Sequence, residues 1–322
     1  MPKTIYVTQP IPESGLEMLR TAGEVRVGPA GRTATPEELA AQVRGVDAVL
    51  CFVGEPIDAT VLEAAAPTCR VVANYGVGTD NIDIPTATRL GIQVTNTPDV
   101  LTDATADLAF TLLLAVARDL AGAARLAASG TWTGVAPMQL FGHDVAGRTL
   151  GIVGAGRIGA AVARRGMGFD MPVVYTSRKG QAALDKAGAT RLSLGELLER
   201  ADFVSLHVAL TPETRGLIGA DELARMKRSA YLINTSRGQV VDEAALIRAL
   251  RDGSIAGAGL DVFAREPHIP PELLAMPNVV CLPHVGSATH ETRSRMAVVA
   301  ARNVIACLRG EAPPNPVNGL ST

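Results

Sequence analysis

The stretch TLGIVGAGRIGAAVARR (149–165) constrains the fold more than any other part of the chain. Gly154, Gly156 and Gly159 stand in GxGxxG spacing, after an apolar run that reads as a strand and before a helical pattern. In such a strand–turn–helix unit the first glycine permits the tight turn and the second lets the backbone approach a pyrophosphate. The third lets the helix pack closely on the strand, and the anion rests on the amides at the helix N-terminus. The bland alternative is a glycine-rich turn of any α/β protein, but the flanking strand and helix favour dinucleotide binding.

Around this motif, short apolar runs alternate with helical patterns along all 322 residues, a length that suits two domains. Strands are predicted at 4–8, 24–27, 47–53, 71–74 and 92–95, with amphipathic segments between them. In TPEELAAQVRG (35–45), Thr35 can cap, Pro36 suits the first turn and Glu38 completes a capping box. Five strands with helical crossovers make one doubly wound parallel unit. A long helical stretch, 103–129, separates it from six further strands at 149–153, 172–175, 202–206, 230–234, 256–260 and 279–282. The last helix is predicted over 289–310, ending at Gly310.

Composition narrows the function classes. A net charge of -2 gives no general reason to bind nucleic acid or an anionic membrane. The four cysteines (Cys51, Cys69, Cys281, Cys307) form no CxxC pair, and reduced thiols are expected rather than disulfides or a metal site. The start, MPKTIYVTQPIPES, lacks the apolar region of a signal peptide, and LAFTLLLAVA (108–117) is too short to span a bilayer. A cytoplasmic chain is the expectation.

The glycine motif gives meaning to VVYTSRKG (173–180), where the next strand ends. NAD sites usually carry an acidic residue here, roughly twenty residues past the first glycine, to bond the ribose 2′-hydroxyl. This chain offers Ser177, Arg178 and Lys179 and no carboxylate. A hydroxyl and two cations can bond a 2′-phosphate with charge assistance, so NADP(H) is expected over NAD(H), with NAD(H) still usable.

Three segments after later strands carry candidate chemistry: NTSRG (234–238), GLDVFAREP (259–267) and LPHVGSATH (282–290). In open α/β sheets ligands bind outside the carboxyl ends of strands, so Arg237, Glu266 and His284 can converge there. Each alone has an ordinary reading as a surface arginine, a loop carboxylate or a structural histidine. Their placement after successive strands favours a site.

These segments, with VGAGRIG, LINTSRGQVVDEAALIRAL and NYGVGTDNID (74–83), resemble the D-isomer-specific 2-hydroxyacid dehydrogenases over nearly the whole chain. Within the family, GSATHETR and YTSRK are most similar to bacterial glyoxylate/hydroxypyruvate reductases, including the branch that reduces 2-ketogluconate. The resemblance implies two doubly wound α/β domains. One is a flavodoxin-like substrate domain (1–99 plus 286–322), completed by the final helix, and the other a Rossmann domain (100–285).

It also implies roles. Arg237 pairs with the substrate carboxylate, His284 protonates the keto oxygen as hydride arrives, and Glu266 fixes the histidine tautomer. Val53, Val77 and Gly78 bind substrate, the latter two through backbone amides. Asp261 holds the nicotinamide carboxamide. Thr105, Arg157, Ile158, His207, Val208, Thr214, Thr235, Ser236 and Gly286 join the glycines as cofactor contacts. A homodimer is implied, formed by the 103–129 region and the loop after it. There TWTGVAPMQLFG has Val135 where some glyoxylate reductases carry a second tryptophan, which opens the choice of 2-keto acid. Rival readings are other D-2-hydroxyacid dehydrogenases (3-phosphoglycerate, formate or phosphite oxidation) and, from another class, a nucleotide-sensing corepressor.

Overall fold

The computed structural model describes residues 2–320, and the chain divides into two compact units. Unit 1 comprises Met1–Leu101 with Ser287–Thr322, and unit 2 comprises Thr102–Gly286. Unit 1 is built on strands β1 (Thr4–Val7), β2 (Glu24–Val27), β3 (Ala48–Phe52), β4 (Val71–Tyr75) and β5 (Gln93–Thr95). All pair in parallel, in the order β2-β1-β3-β4-β5 of flavodoxin-like sheets. β4 is buried at every position, as expected of a strand covered on both faces. The capping box is present on helix Pro36–Gln42: Thr35 accepts from the Glu38 N–H, and the Glu38 carboxylate accepts from the Thr35 N–H. The final helix, His290–Leu308, belongs to this unit and packs so closely on helix Glu13–Arg20 that a Cβ on Gly15 would lie 2.7 Å from that of Ala297.

Unit 2 carries β6 (Leu150–Val153), β7 (Val173–Thr176), β8 (Thr190–Arg191), β9 (Phe203–Leu206), β10 (Tyr231–Asn234), β11 (Gly257–Leu260) and β12 (Val279–Cys281). Their order is β12-β11-β10-β9-β6-β7-β8, again all parallel, with the reversal of direction between β6 and β9. This is the doubly wound dinucleotide-binding arrangement, with one strand more than the sequence suggests. β8 is a two-residue edge strand with both residues exposed, too short to leave a hydrophobic signature. The predicted 103–129 helix is two helices, Thr102–Ala117 and Leu120–Ser129. Between them Asp119 takes φ 43° and caps the second with its side chain on the Gly122 N–H. Cys51, Cys69 and Cys307 are buried and all four thiols are free.

The glycine motif connects β6 to helix Arg157–Gly168. Gly154 sits at φ +96°, where a side chain would be strained, and its N–H donates to Thr176 O at the end of β7. A Cβ on Gly159 would lie 2.1 Å from Gly154 O, so only glycine lets the helix approach the turn. Under the turn lies His207, directly after β9, its N–H bonded to Val153 O at 2.7 Å and its Nε2 2.8 Å from Ser205 Oγ.

The His207 ring is enclosed although the residue as a whole is only half-buried, and burial pushes its pKa from 6.5 down to about 3. Below pH 6.5 the unfolded chain takes up a proton that the folded chain refuses. Stability present above that pH is therefore lost as pH falls towards about 3, by up to about 1.4 kcal/mol per unit. Urea unfolding at pH 7 and again near pH 5 should show wild type losing about 1–2 kcal/mol more than His207→Gln. Equal losses would mean that the ring titrates normally.

Candidate active site

At the carboxyl end of β11 a buried carboxylate organises the loop that follows β12. Asp261, 1% exposed, receives the Val285 N–H on Oδ1 and the Gly286 N–H on Oδ2, each at 2.8 Å, while its own carbonyl accepts the His284 N–H at 2.9 Å. Burial raises the Asp261 pKa, and the two amides and the nearby His284 hold that rise back. His284 is thereby held at φ +54°, a left-handed conformation that costs a non-glycine residue about 1–3 kcal/mol. Both Asp261 oxygens are thus engaged within the protein, and a carboxylate retains acceptor capacity beyond one bond per oxygen.

The turn aims the His284 ring at Glu266. Nδ1 lies 2.7 Å from Glu266 Oε2, and the other carboxylate oxygen accepts the Phe263 N–H at 3.0 Å. For Glu266, burial acts to raise the pKa, but the hydrogen bond and charge of His284, the Phe263 amide and the Arg237 charge outweigh it. The net shift is downward, so the carboxylate is ionised at neutral pH. The pair keeps Nδ1 as a donor and leaves Nε2 for chemistry. Arg237 is placed by the turn after β10. There Asn234 Nδ2 donates to Arg237 O at 2.9 Å, and Asn234 Oδ1 accepts from the Ser236 N–H and hydroxyl at 3.0 and 2.8 Å. A Cβ on the adjoining Gly238 would fall 1.9 Å from the Phe263 carbonyl carbon, so the turn carrying Arg237 is pressed against the segment leading to Glu266.

The candidate cofactor residues line the carboxyl edge of the same sheet. Gly156 precedes the helix and faces open space: a Cβ added there would meet nothing within 4 Å, which suits a backbone that a pyrophosphate must approach. Arg157 and Ile158 open the helix, and Val208 sits against Gly154. Thr235 Oγ1, after β10, is buried without a hydrogen-bond partner, an orphan that a ligand could satisfy. Thr105 adjoins Gly286, and a Cβ there would lie 3.4 Å from the threonine methyl. Thr214 is occupied in closing its own turn, donating to Ala209 O at 2.6 Å and accepting from the Thr211 N–H at 2.8 Å.

After β7, Arg178 and Lys179 are exposed, and the Ser177 hydroxyl donates to Lys179 O. Beneath them is Arg191 of β8, whose Nη2 donates to Ser177 O (2.8 Å) and Arg178 O (3.1 Å). Sequence reasoning missed Arg191 because its strand left no pattern. The open cradle, the orphaned Thr235 hydroxyl and the basic loop all fit a dinucleotide. Among the described residues no cluster of His, Cys, Asp or Glu could hold a metal, and no helix is long and apolar enough to cross a membrane.

In unit 1, Val53 packs over Gly76, where a Cβ would come within 2.1 Å of its Cγ1. Asn96 Nδ2 donates to Val77 O at 2.9 Å, and Asn74 Nδ2 donates to Gly78 O. In a trans peptide the N–H points opposite to the carbonyl, so the Asn96 bond fixes the direction of the Gly78 N–H.

Residues 110–286 match the family model for the D-isomer specific 2-hydroxyacid dehydrogenase NAD binding domain. The chain is 52% identical to a glyoxylate reductase of Korarchaeum cryptofilum, an alignment covering 99% of this chain and 96% of that one. A glyoxylate reductase of Thermococcus kodakarensis is likewise 52% identical, with 98% and 96% covered. Among solved structures, a protein of Thermus thermophilus superposes with a TM-score of 0.92 at 47% identity, covering 98% of this chain and all of that one. The NADPH-dependent glyoxylate/hydroxypyruvate reductase of Sinorhizobium meliloti, solved with NADP and malonate, gives 0.88 at 37% identity, with 98% and 97% covered. Glycine turn, basic loop and His284–Glu266 pair thus stand in a chain that belongs to the D-isomer-specific 2-hydroxyacid dehydrogenases, an oxidoreductase of the glyoxylate/hydroxypyruvate reductase type that uses a nicotinamide cofactor.

Proposed function

We propose that this enzyme is an NADPH-preferring reductase of small 2-keto acids, turning glyoxylate into glycolate and hydroxypyruvate into D-glycerate. The observation that carries the reading is the His284 Nδ1–Glu266 bond of 2.7 Å, which leaves Nε2 to deliver a proton. When bound, the reduced nicotinamide supplies the hydride that reaches the keto carbon. Arg237 pairs with the substrate carboxylate and draws electron density from the adjacent carbonyl. His284 passes its Nε2 proton to the keto oxygen, and Glu266 stabilises the charged ring before that transfer. Val53, Val77 and Gly78 bind substrate. Gly156, Arg157 and Ile158 hold the pyrophosphate on the turn that Gly154 and Gly159 make possible, and Thr105, His207, Val208, Thr214, Thr235, Ser236, Asp261 and Gly286 line the rest of the cofactor cleft.

A homodimer is part of the proposal. Helix Leu120–Ser129 has no buried residue, and the segment after it exposes Trp132, Val135, Met138 and Phe141. Such a run of apolar side chains is the kind of surface a partner covers. Light scattering should give twice the chain mass; a monomeric mass would rule the dimer out.

Coenzyme choice rests on Ser177, Arg178 and Lys179, whose loop carries no carboxylate. One or two charge-assisted bonds to a 2′-phosphate favour NADPH by about tenfold to several hundredfold. Steady-state kinetics with glyoxylate and each coenzyme should show that preference, and Ser177→Asp should erode or reverse it. The proposal fails if NADH matches NADPH in kcat/KM for the wild type.

A further inference from the structure

The basic loop after β7 is fixed at both ends. At its start β7 pairs with β8, Tyr175 opposite Arg191, and the Leu192 N–H donates to Tyr175 O at 2.9 Å. At its far end the Gln181 N–H donates to the Tyr175 hydroxyl at 2.9 Å, and Gln181 Nε2 donates to Ala155 O at 3.3 Å, which joins the loop to the glycine turn. Within the loop the Ser177 hydroxyl donates to Lys179 O. Among the described residues, the only hydrogen bonds that reach 177–180 from another element come from Arg191 of β8.

An exposed arginine on an edge strand ordinarily does little, and the consequence here lies in what it holds. One nitrogen, Nη2, donates to two consecutive carbonyls, Ser177 O at 2.8 Å and Arg178 O at 3.1 Å. In a trans peptide the N–H points opposite to the carbonyl. Turning these two carbonyls towards Arg191 therefore turns the N–H groups of Arg178 and Lys179 away from it. Among the described residues neither N–H has an acceptor within the protein. Consecutive amides turned the same way make a concavity that suits an anion, and the exposed side chains of Arg178 and Lys179 leave from the same two residues.

We propose that Arg191 is a positioning residue for coenzyme choice: it holds the Ser177 and Arg178 carbonyls so that the Arg178 and Lys179 amides and side chains meet the 2′-phosphate together, without touching the phosphate itself. The inference rests on the coenzyme preference proposed above and not on which keto acid is reduced. The glycine turn that takes the 5′-phosphate is tied to β7 by another bond, from the Gly154 N–H to Thr176 O, so losing Arg191 leaves that part of the site standing.

The test is calorimetric titration of the full chain with adenosine 2′,5′-bisphosphate and, separately, with adenosine 5′-monophosphate. Wild type should bind the bisphosphate more tightly. Arg191→Met should weaken the bisphosphate by about tenfold while leaving the monophosphate within about twofold. In an Arg178→Met background the same substitution should cost only about twofold, because Arg191 acts through the loop that carries Arg178. A bisphosphate loss as large in that background as in wild type would mean that Arg191 acts on the phosphate independently, and would overturn the proposal. So would an unchanged preference in Arg191→Met, or an equal fall for both ligands, which marks a merely structural role. A wild type that does not distinguish the two ligands would instead refute the NADPH preference itself, and this inference with it.

Discussion

The Asp261 carboxylate is the interaction on which the catalytic half of unit 2 depends. It gathers the Val285 and Gly286 amides, and the Asp261 carbonyl takes the His284 amide. Three bonds from one buried residue offset the left-handed turn at His284, and that turn presents the ring to Glu266. A carboxylate so deeply buried is costly unless fully bonded, so the residue that looks like a cofactor ligand in the sequence is also a structural clamp.

Much of the architecture was legible in the sequence because parallel strands buried on both faces are apolar throughout. VVANY and AVLCF read as strands without help from any neighbour. Where the reading missed, a local cause is visible. β8 has two exposed residues and is held as a strand by pairing with β7 alone. Periodicity runs through residues 103–129, and what divides the helices is a single left-handed Asp119 acting as a cap, a feature periodicity does not encode.

The site was legible to the degree that its chemistry follows strand ends. The glycine spacing, the basic loop after β7 and the three residues after β10, β11 and β12 are all readable from position alone. The props were not. Arg191 holds two carbonyls of the basic loop from an edge strand, and Asn74 and Asn96 fix peptides of the 76–78 loop through their side-chain amides. Such side-chain to backbone bonds depend on tertiary placement, and no spacing in the sequence announces them.

The central claim is that His284, held by Asp261 and paired with Glu266, gives the proton that accompanies hydride transfer. The most direct measurement is the rate of NADPH consumption with saturating glyoxylate for wild type and His284→Ala, alongside NADPH affinity by fluorescence titration. Loss of a positioned general acid should lower kcat by about a hundredfold or more while leaving NADPH affinity nearly unchanged. A variant that retained the wild-type rate would contradict the account.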